Sequence, residues 1–409
     1  MAKECVVVGS GIMGLCSAYF LQENGFQVRI LEAEKPASGA ATGNAGLVAP
    51  SHIIPLAAPG VVWQGIKWMF NRESPFYIKP RLDLELLGWL YRFWRSSNQS
   101  HVDSASPVLR DLCLKSKILF AEMADSGLDF HVAHPGLVMV CGSAHSLEEE
   151  LKVAEKARGL GLQAYEVSLS QLEPDVDWRA KGGVFFPGDD VVDPGRFCVA
   201  LEKALRKRGV VFEQEKVISL KRVQSRHQIQ LESGKTTSSE HILLTAGAHS
   251  SQILRGLGLN LPLQPGRGYS QTHDQPPMQL KHPLILVEGR VAITPFDSRL
   301  RVAGTMELAG FETKIQDRRI QGIHKSCQAF IGNWNPAMWS EVPVWSGLRP
   351  CTPDGLPYVG PLPGASDVWV NYGHAMLGLT LGPVCGQLVA ESMAGNAVPY
   401  PHLFPGRFG

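Results

Sequence analysis

Three glycines near the start of the chain, Gly9, Gly11 and Gly14, stand in G-x-G-x-x-G spacing, and Glu32 follows 18 residues after the last of them. That set suits the binding of a nucleoside diphosphate. The first glycine permits a tight turn, the second lets a pyrophosphate approach the backbone, and the third lets helix and strand pack closely. A helix opening at Ile12 and Met13 offers free N–H groups and the positive end of its dipole to phosphate. Glu32, with Ala33 beside it, is spaced to accept hydrogen bonds from a ribose diol, and its carboxylate argues against a 2′-phosphate. A second cluster, AEKPASGAATGNAGLVAP over residues 33–50, is crowded with small residues. Its backbone can run close to a flat ligand, with Ser38, Thr42, Asn44, Ala45, Gly46 and Leu47 facing it.

These residues need elements to hold them. Cys5 to Val8 reads as a buried strand, Met13 to Gln22 as a helix and Gln27 to Leu31 as a second strand, so the cluster sits on a βαβ unit. Further on, the pattern gives a helix over Ser106 to Gly127, a strand over Gly136 to Cys141, and a helix over Ser146 to Gly159 opened by a capping box of Ser146 and Glu149. A charged-faced helix spans Arg196 to Arg208, and one apolar strand, Val210 to Val217, follows. Glu240 to Thr245 reads as a buried parallel strand closed by Thr245-Ala246-Gly247. Residues 263–345 read mainly as β, with a helix over Gln316 to Phe330, and a last helix runs from Pro383 to Ala394.

The chain resembles the D-amino-acid oxidase superfamily of flavoproteins, and within it most closely the D-amino-acid dehydrogenase small-subunit type. The match is carried by the glycine turn, Glu32, the Ser38 to Gly46 loop, the Gly347-Leu348-Arg349-Pro350 and Thr352-Pro353-Asp354-Gly355 steps, Gly373-His374 and the tail ending PGRF, and so covers nearly the whole length. The resemblance implies FAD, which no Lys or Cys stands placed to bind covalently, so that non-covalent FAD is expected, and an α/β fold: a Rossmann-like FAD-binding domain with an inserted α+β substrate domain on a mixed or antiparallel sheet. It divides the chain into residues 1–50, 195–262 and 347–409 for flavin, and 51–194 and 263–346 for substrate. It also implies that Val217 contacts the adenine, that the cofactor passes over Thr245, Ala246 and Gly247, and that Gly347 and the Gly378-Leu379-Thr380 turn adjoin the flavin.

In such proteins the arginine of the G-L-R-P step clamps the substrate carboxylate, which gives Arg349 that role; a planar guanidinium fork fixes a carboxylate in one orientation. Tyr269 and Glu307 are expected on the pocket wall and His374 beside the flavin as a hydrogen-bond partner. His52 either lines the site or is an ordinary satisfied histidine. Ala375, Met376 and Leu377 stand where glycine oxidases carry a second arginine, and an apolar wall suits a larger or cyclic side chain. The implied reaction is oxidation of D-amino acids, with D-proline or 4-hydroxy-D-proline favoured and electrons passed to a quinone or another acceptor. A glycine or sarcosine oxidase is the nearest alternative, and a flavin-binding relay without substrate a more distant one.

Composition excludes several other classes. A net charge of +1 over 409 residues leaves no electrostatic footprint for nucleic acid. The eight cysteines show no C-x-x-C and no short metal spacing, so they read as reduced, buried thiols, and no metal is expected. No signal peptide is expected before the first strand, which points to a cytoplasmic location. Residues 51–97 are rich in aromatics, including Trp63, Trp68, Phe70, Trp89, Phe93 and Trp94, with Lys and Arg interleaved. They read either as packing between domains or as a surface that meets the cytoplasmic membrane or an electron acceptor.

Overall fold

The computed structural model describes residues 3–69, 74–224, 226–312 and 314–408; Phe70 and the side chain of Trp68 lie outside the described part. The opening βαβ unit seeds the first sheet. Glu4–Val8 pairs in parallel with Gln27–Glu32 on one side and with His241–Leu244 on the other. Val211–Gln214 and Ala365–Tyr372 extend the sheet in parallel, and Tyr358–Leu362 closes it antiparallel. Helix Ile12–Glu23 is apolar nearly all round because it is sandwiched: residues 12–21 are all buried. It crosses the last helix, Gly378–Met393, at Gly386, where a Cβ would come within 2.8 Å of the Cys16 backbone. A three-stranded antiparallel sheet, Val217–Val223, Arg226–Leu231 and Thr236–Ser238, covers the opposite face through Leu220 and Ile229.

A larger mixed sheet lies beyond. Its order is Val344–Cys351, Gln264–His273, Arg299–Leu308, Val291–Phe296, Leu284–Leu286, Leu137–Cys141, Gly182–Phe186 and Tyr165–Val167. All neighbours are antiparallel except Leu284–Leu286 with Leu137–Cys141. Phe76–Ile78 adds in parallel at the end of Arg299–Leu308. Helix Asp317–Phe330 packs on one face, with Ile323 against Gly304. The other face receives the loop that follows Glu32. The strand Val344–Cys351 lies wholly in this sheet, so a division of the chain at 347 cuts through it.

Local differences from the sequence reading have physical causes. The stretch 210–217 is two strands, because the backbone N–H of Glu215 turns back to the carbonyl of Glu213 at 3.1 Å and ends the first before Val217 opens the second. The long helix begins at Gln99, capped by Asn98, whose Oδ1 accepts from His101 N at 3.0 Å; Pro107 sits inside it. The capping box is Ser143 with Ser146, one turn earlier than Ser146 with Glu149. The last helix starts at Gly378 and tolerates Pro383 in its second turn.

Candidate flavin and substrate site

The glycine turn is shaped by what its missing side chains leave room for. Gly9 has φ +101°, and a Cβ there would lie 3.0 Å from the Thr245 carbonyl. A Cβ on Gly14 would stand 1.9 Å from the Gly9 carbonyl. A Cβ on Gly11 would meet nothing within 4 Å, so this is the glycine that opens onto free space. Gly11 is also the N-cap of helix Ile12–Glu23 and offers no capping side chain, which leaves the first helical N–H groups to an incoming anion. Glu32 ends its strand beside this turn. One carboxylate oxygen accepts from Ser10 N at 2.6 Å and Ser10 Oγ at 2.7 Å, the other from Glu34 N at 3.0 Å. Thr245 Oγ1 donates to the carbonyls of Val8 (2.8 Å) and Gly9 (3.0 Å), locking the adjoining strand, with Ala246 and Gly247 directly after it. Val217 is buried at the head of the neighbouring sheet.

The loop after Glu32 is tied at both ends of this cradle. Ser38 Oγ donates to Lys35 O, and Thr42 Oγ1 donates to Gly39 O. A Cβ on Gly39 would be 3.4 Å from Gly11 Cα, so the loop touches the glycine turn. Asn44 Oδ1 accepts from Gly46 N at 2.8 Å and holds Ala45 in a tight turn. Arg301 of the large sheet donates to the carbonyls of Thr42 (3.1 Å) and Asn44 (2.5 Å). Thr380, in the first turn of the last helix, donates to Leu47 O at 3.0 Å. Gly43 lies under the ring of Trp345, where a Cβ would approach to 2.1 Å. The loop therefore runs between the N-terminus of the last helix, Gly378-Leu379-Thr380, and the open face of the large sheet.

On that face, period-two alternation sorts the side chains. Gly266, Gly268 and Ser270 pair with Arg349, Gly347 and Trp345, so all six project to one side. The guanidinium of Arg349 lies over Gly268, where a Cβ would come within 2.0 Å of Nη1. Its single hydrogen bond among the described residues is Nη1 to the Thr305 carbonyl at 2.8 Å, and no carboxylate pairs with it. Desolvation holds it below the ordinary arginine pKa, with Cys351 as a weak counter-influence. The rest of the guanidinium fork is free to take a carboxylate.

The same alternation corrects two assignments. Tyr269 and Glu307 lie on the opposite face, under helix Asp317–Phe330. There Tyr269 Oη donates to Glu307 Oε2 at 2.9 Å, and Arg267 and Arg319 each stand 3.9 Å from the same carboxylate. They brace the sheet from behind and do not wall the pocket, because each is one residue out of phase with Gly268 and Met306. His374 is 2% exposed, and neither of its ring nitrogens has a partner. Burial pulls its pKa down to about 3, so it is a neutral imidazole next to the glycine turn Gly373 and the helix N-terminus. An orphaned polar side chain there fits a flavin edge that brings hydrogen-bonding groups with it. His52 is buried with its ring 3.2 Å from Ser51 Oγ, and burial with the nearby Arg290 pulls its pKa to about 4. Trp345 and Arg301, which hold the flavin loop against the sheet, were missed in the sequence. The signal that could have found them is the run of small residues Gly268, Ser270, Ala292 and Ala303, which marks one face of three successive strands as an open floor.

The open position at Gly11, the uncapped helix, the fixed Glu32 and the small-residue loop together fit an extended dinucleotide bearing a flat ring system. Residues 4–392 match the family described as FAD dependent oxidoreductase (DAO), and the chain belongs to that family. It is an FAD-dependent oxidoreductase. A D-amino acid dehydrogenase from Vibrio atlanticus (strain LGP32) is 30% identical over 96% of each chain. Among solved structures, a glycine oxidase from Geobacillus kaustophilus superposes with a TM-score of 0.79 at 20% identity, covering 99% of each chain. An L-proline dehydrogenase from P. horikoshii superposes with a TM-score of 0.73 at 15% identity, covering 100% of this chain and 98% of that one. All eight cysteines are buried and free, and the described residues contain no cluster of three or more His, Cys, Asp or Glu able to hold a metal.

Proposed function

We propose that the protein is an FAD-dependent dehydrogenase of D-amino acids, with D-proline, 4-hydroxy-D-proline or other apolar D-amino acids as substrates. The observation that carries this reading is Arg349, a desolvated guanidinium without an anionic partner, on the face that meets the flavin loop. The likeness to a D-amino acid dehydrogenase across nearly the full length supports it. Bound FAD would supply the hydride acceptor, and Glu32, the glycine turn, the Ser38–Leu47 loop and the last helix would hold it non-covalently. Arg349 would grip the substrate carboxylate in two hydrogen bonds and so fix the α-hydrogen. Gly268 lets the Arg349 guanidinium lie flat on the sheet and Gly347 does the same for the Trp345 ring, so the two together would form the surface that meets the substrate. No general base is required when the neutral amine's lone pair drives hydride loss, so His374 holds a neutral imidazole without taking a proton. We assign residues 1–50, 195–262 and the part after Cys351 to the flavin domain and the remainder to the substrate domain.

For the acceptor side we propose a docking face for a membrane-held quinone or electron-transfer partner. Helix Leu84–Ser96 buries Leu86, Trp89 and Phe93 and turns Leu84, Leu87, Tyr91 and Trp94 outward, with Trp94 61% and Leu84 86% exposed. Trp89 Nε1 donates to Cys351 O at 2.8 Å, which ties this helix to the strand of Arg349. No helix among the described residues is long and apolar enough to cross a membrane, so contact would be at its surface. The deciding experiment is anaerobic mixing of the yellow protein with D-proline, D-alanine, glycine and sarcosine, followed by peroxide and dye-reduction assays. Flavin bleaching by the D-amino acids with electrons passing to dye is expected. Preference for glycine or sarcosine with stoichiometric peroxide would make it an oxidase of that kind instead.

A further inference from the structure

Strand Arg299–Leu308 breaks its own alternation beside the substrate arginine. Ala303 shares the open face with its partner Ser270, and Gly304 faces back, where a Cβ would stand 3.1 Å from Ile323 of helix Asp317–Phe330. Met306 is on the open face again, its Sδ 2.3 Å from where a Cβ on Gly266 would sit, and Glu307 is at the back with Tyr269. Thr305 is therefore one residue too many. The pairing shows the same shift: Arg267 stands opposite Glu307 and Tyr269 opposite Gly304, so Thr305 and Met306 together face Gly268 in a β-bulge. Thr305 holds φ +69°, a left-handed conformation that a β-branched residue rarely adopts.

The bulge turns one peptide plane so that both of its polar groups leave the ladder. The carbonyl of Thr305 accepts from Arg349 Nη1 at 2.8 Å, and the N–H of Met306 donates to Pro75 O at 2.7 Å. That carbonyl is the one hydrogen-bond partner of Arg349 among the described residues, so its direction sets where the rest of the guanidinium fork points. Behind the sheet, Arg319 stands 3.9 Å from Glu307, lies 4.5 Å over the ring of Tyr77, and donates through Nη1 to Ser74 O at 3.2 Å. Ser74 precedes Pro75, so the rear carboxylate is joined through this segment to the peptide plane that meets Arg349. Burying ions and holding a threonine left-handed both cost stability. Here both converge on one peptide beside the site.

We propose that Thr305 is a positioning residue for substrate binding: its left-handed bulge aims the carbonyl that orients Arg349, and Glu307 with Arg319 holds the bulge from behind the sheet. The proposal rests on the role given to Arg349 above. Its test uses holoenzyme carrying Thr305→Gly, Thr305→Asn or Glu307→Gln, each alone and combined with Arg349→Met. Glycine relieves the left-handed strain but frees the peptide to rotate, whereas asparagine tolerates that conformation and keeps it. Thr305→Gly should melt no lower than the parent, yet raise KM for D-amino acids at least fivefold with kcat changed less than twofold. Glu307→Gln should follow it, and Thr305→Asn, the conservative variant, should bring KM back to within threefold of the parent. With Arg349→Met already present, neither Thr305→Gly nor Glu307→Gln should move KM by more than twofold. Binding of tetrahydrofuran-2-carboxylate, read from the flavin absorbance without turnover, should weaken in parallel. An unchanged KM in Thr305→Gly, a loss confined to kcat, or an equal loss in the Arg349→Met background would overturn the proposal. If the parent oxidises no D-amino acid but analogue binding still depends on both Arg349 and Thr305, the activity reading fails and the positioning role stands.

Discussion

Single residues divide here by what their removal leaves behind. Replacing Arg349 by Met removes two charge-assisted hydrogen bonds to a carboxylate, about 3 to 4 kcal/mol, so kcat/KM should fall by roughly two to three orders of magnitude. Flavin content should stay at one per chain, since Arg349 makes no contact with the glycine turn; an unchanged kcat/KM would remove the clamp from the proposed mechanism. The two inner glycines make a sharper pair. Gly14→Ala forces a methyl group against the Gly9 carbonyl, where the gap is 1.9 Å, and should give protein that folds poorly or without flavin. Gly11→Ala meets no protein atom, so it should fold normally and lose only cofactor affinity, read by flavin titration of the apoprotein. Gly9, Gly14 and Glu32 were legible in the sequence because short-range spacing fixes them. Tyr269 and Glu307 were misplaced because a strand residue's face depends on register, and one residue of phase sends it to the other side.

At the level of elements, the connection between the flavin loop and the large sheet depends on a buried carboxyl. Asp189 is fully enclosed and accepts hydrogen bonds from Ser51 N at 3.1 Å and Ser51 Oγ at 2.5 Å, which anchors the segment that carries His52. Burial pushes its pKa up to about 7, with the Ser51 contacts opposing. A carboxyl that keeps its proton to about pH 7 when folded, but loses it near about pH 4 when unfolded, makes the folded state progressively less stable as pH rises through that window. Asp189→Asn should therefore flatten the fall in thermal midpoint of the holoprotein between pH 5 and pH 8 relative to the parent. An equal or steeper fall would show that Asp189 is ionised throughout. Such an anchor is invisible in sequence: Ser51 and Asp189 are 138 positions apart, and neither stands in a recognisable motif. The helix boundaries were missed for a different reason, since Asn98 and Ser143 start their helices through local caps, to His101 N and Ser146, that hydrophobic periodicity does not report.

For the whole molecule, the outward Leu84, Leu87, Tyr91 and Trp94 predict weak adsorption to anionic vesicles that weakens with salt, through the Arg92 and Arg95 nearby. Cosedimentation should detect it, and Leu87→Glu with Trp94→Glu should abolish it while leaving dye-linked turnover intact. Acid precipitation should release all of the flavin into the supernatant; retention in the pellet would reveal a covalent bond. The family and the split architecture were readable because their motifs lie at both ends and in the middle of the chain, whereas the order of nine strands in the large sheet was not. One consequence of the parallel sheet concerns birth rather than catalysis. Glu4–Val8 lies between a neighbour made soon after it and one made more than two hundred residues later, and the next strand out comes from Ala365–Tyr372. Residues through Tyr372 must leave the ribosome before that layer can close, so the cradle for the cofactor cannot be complete any earlier, and a chain truncated before Ala365 should emerge colourless.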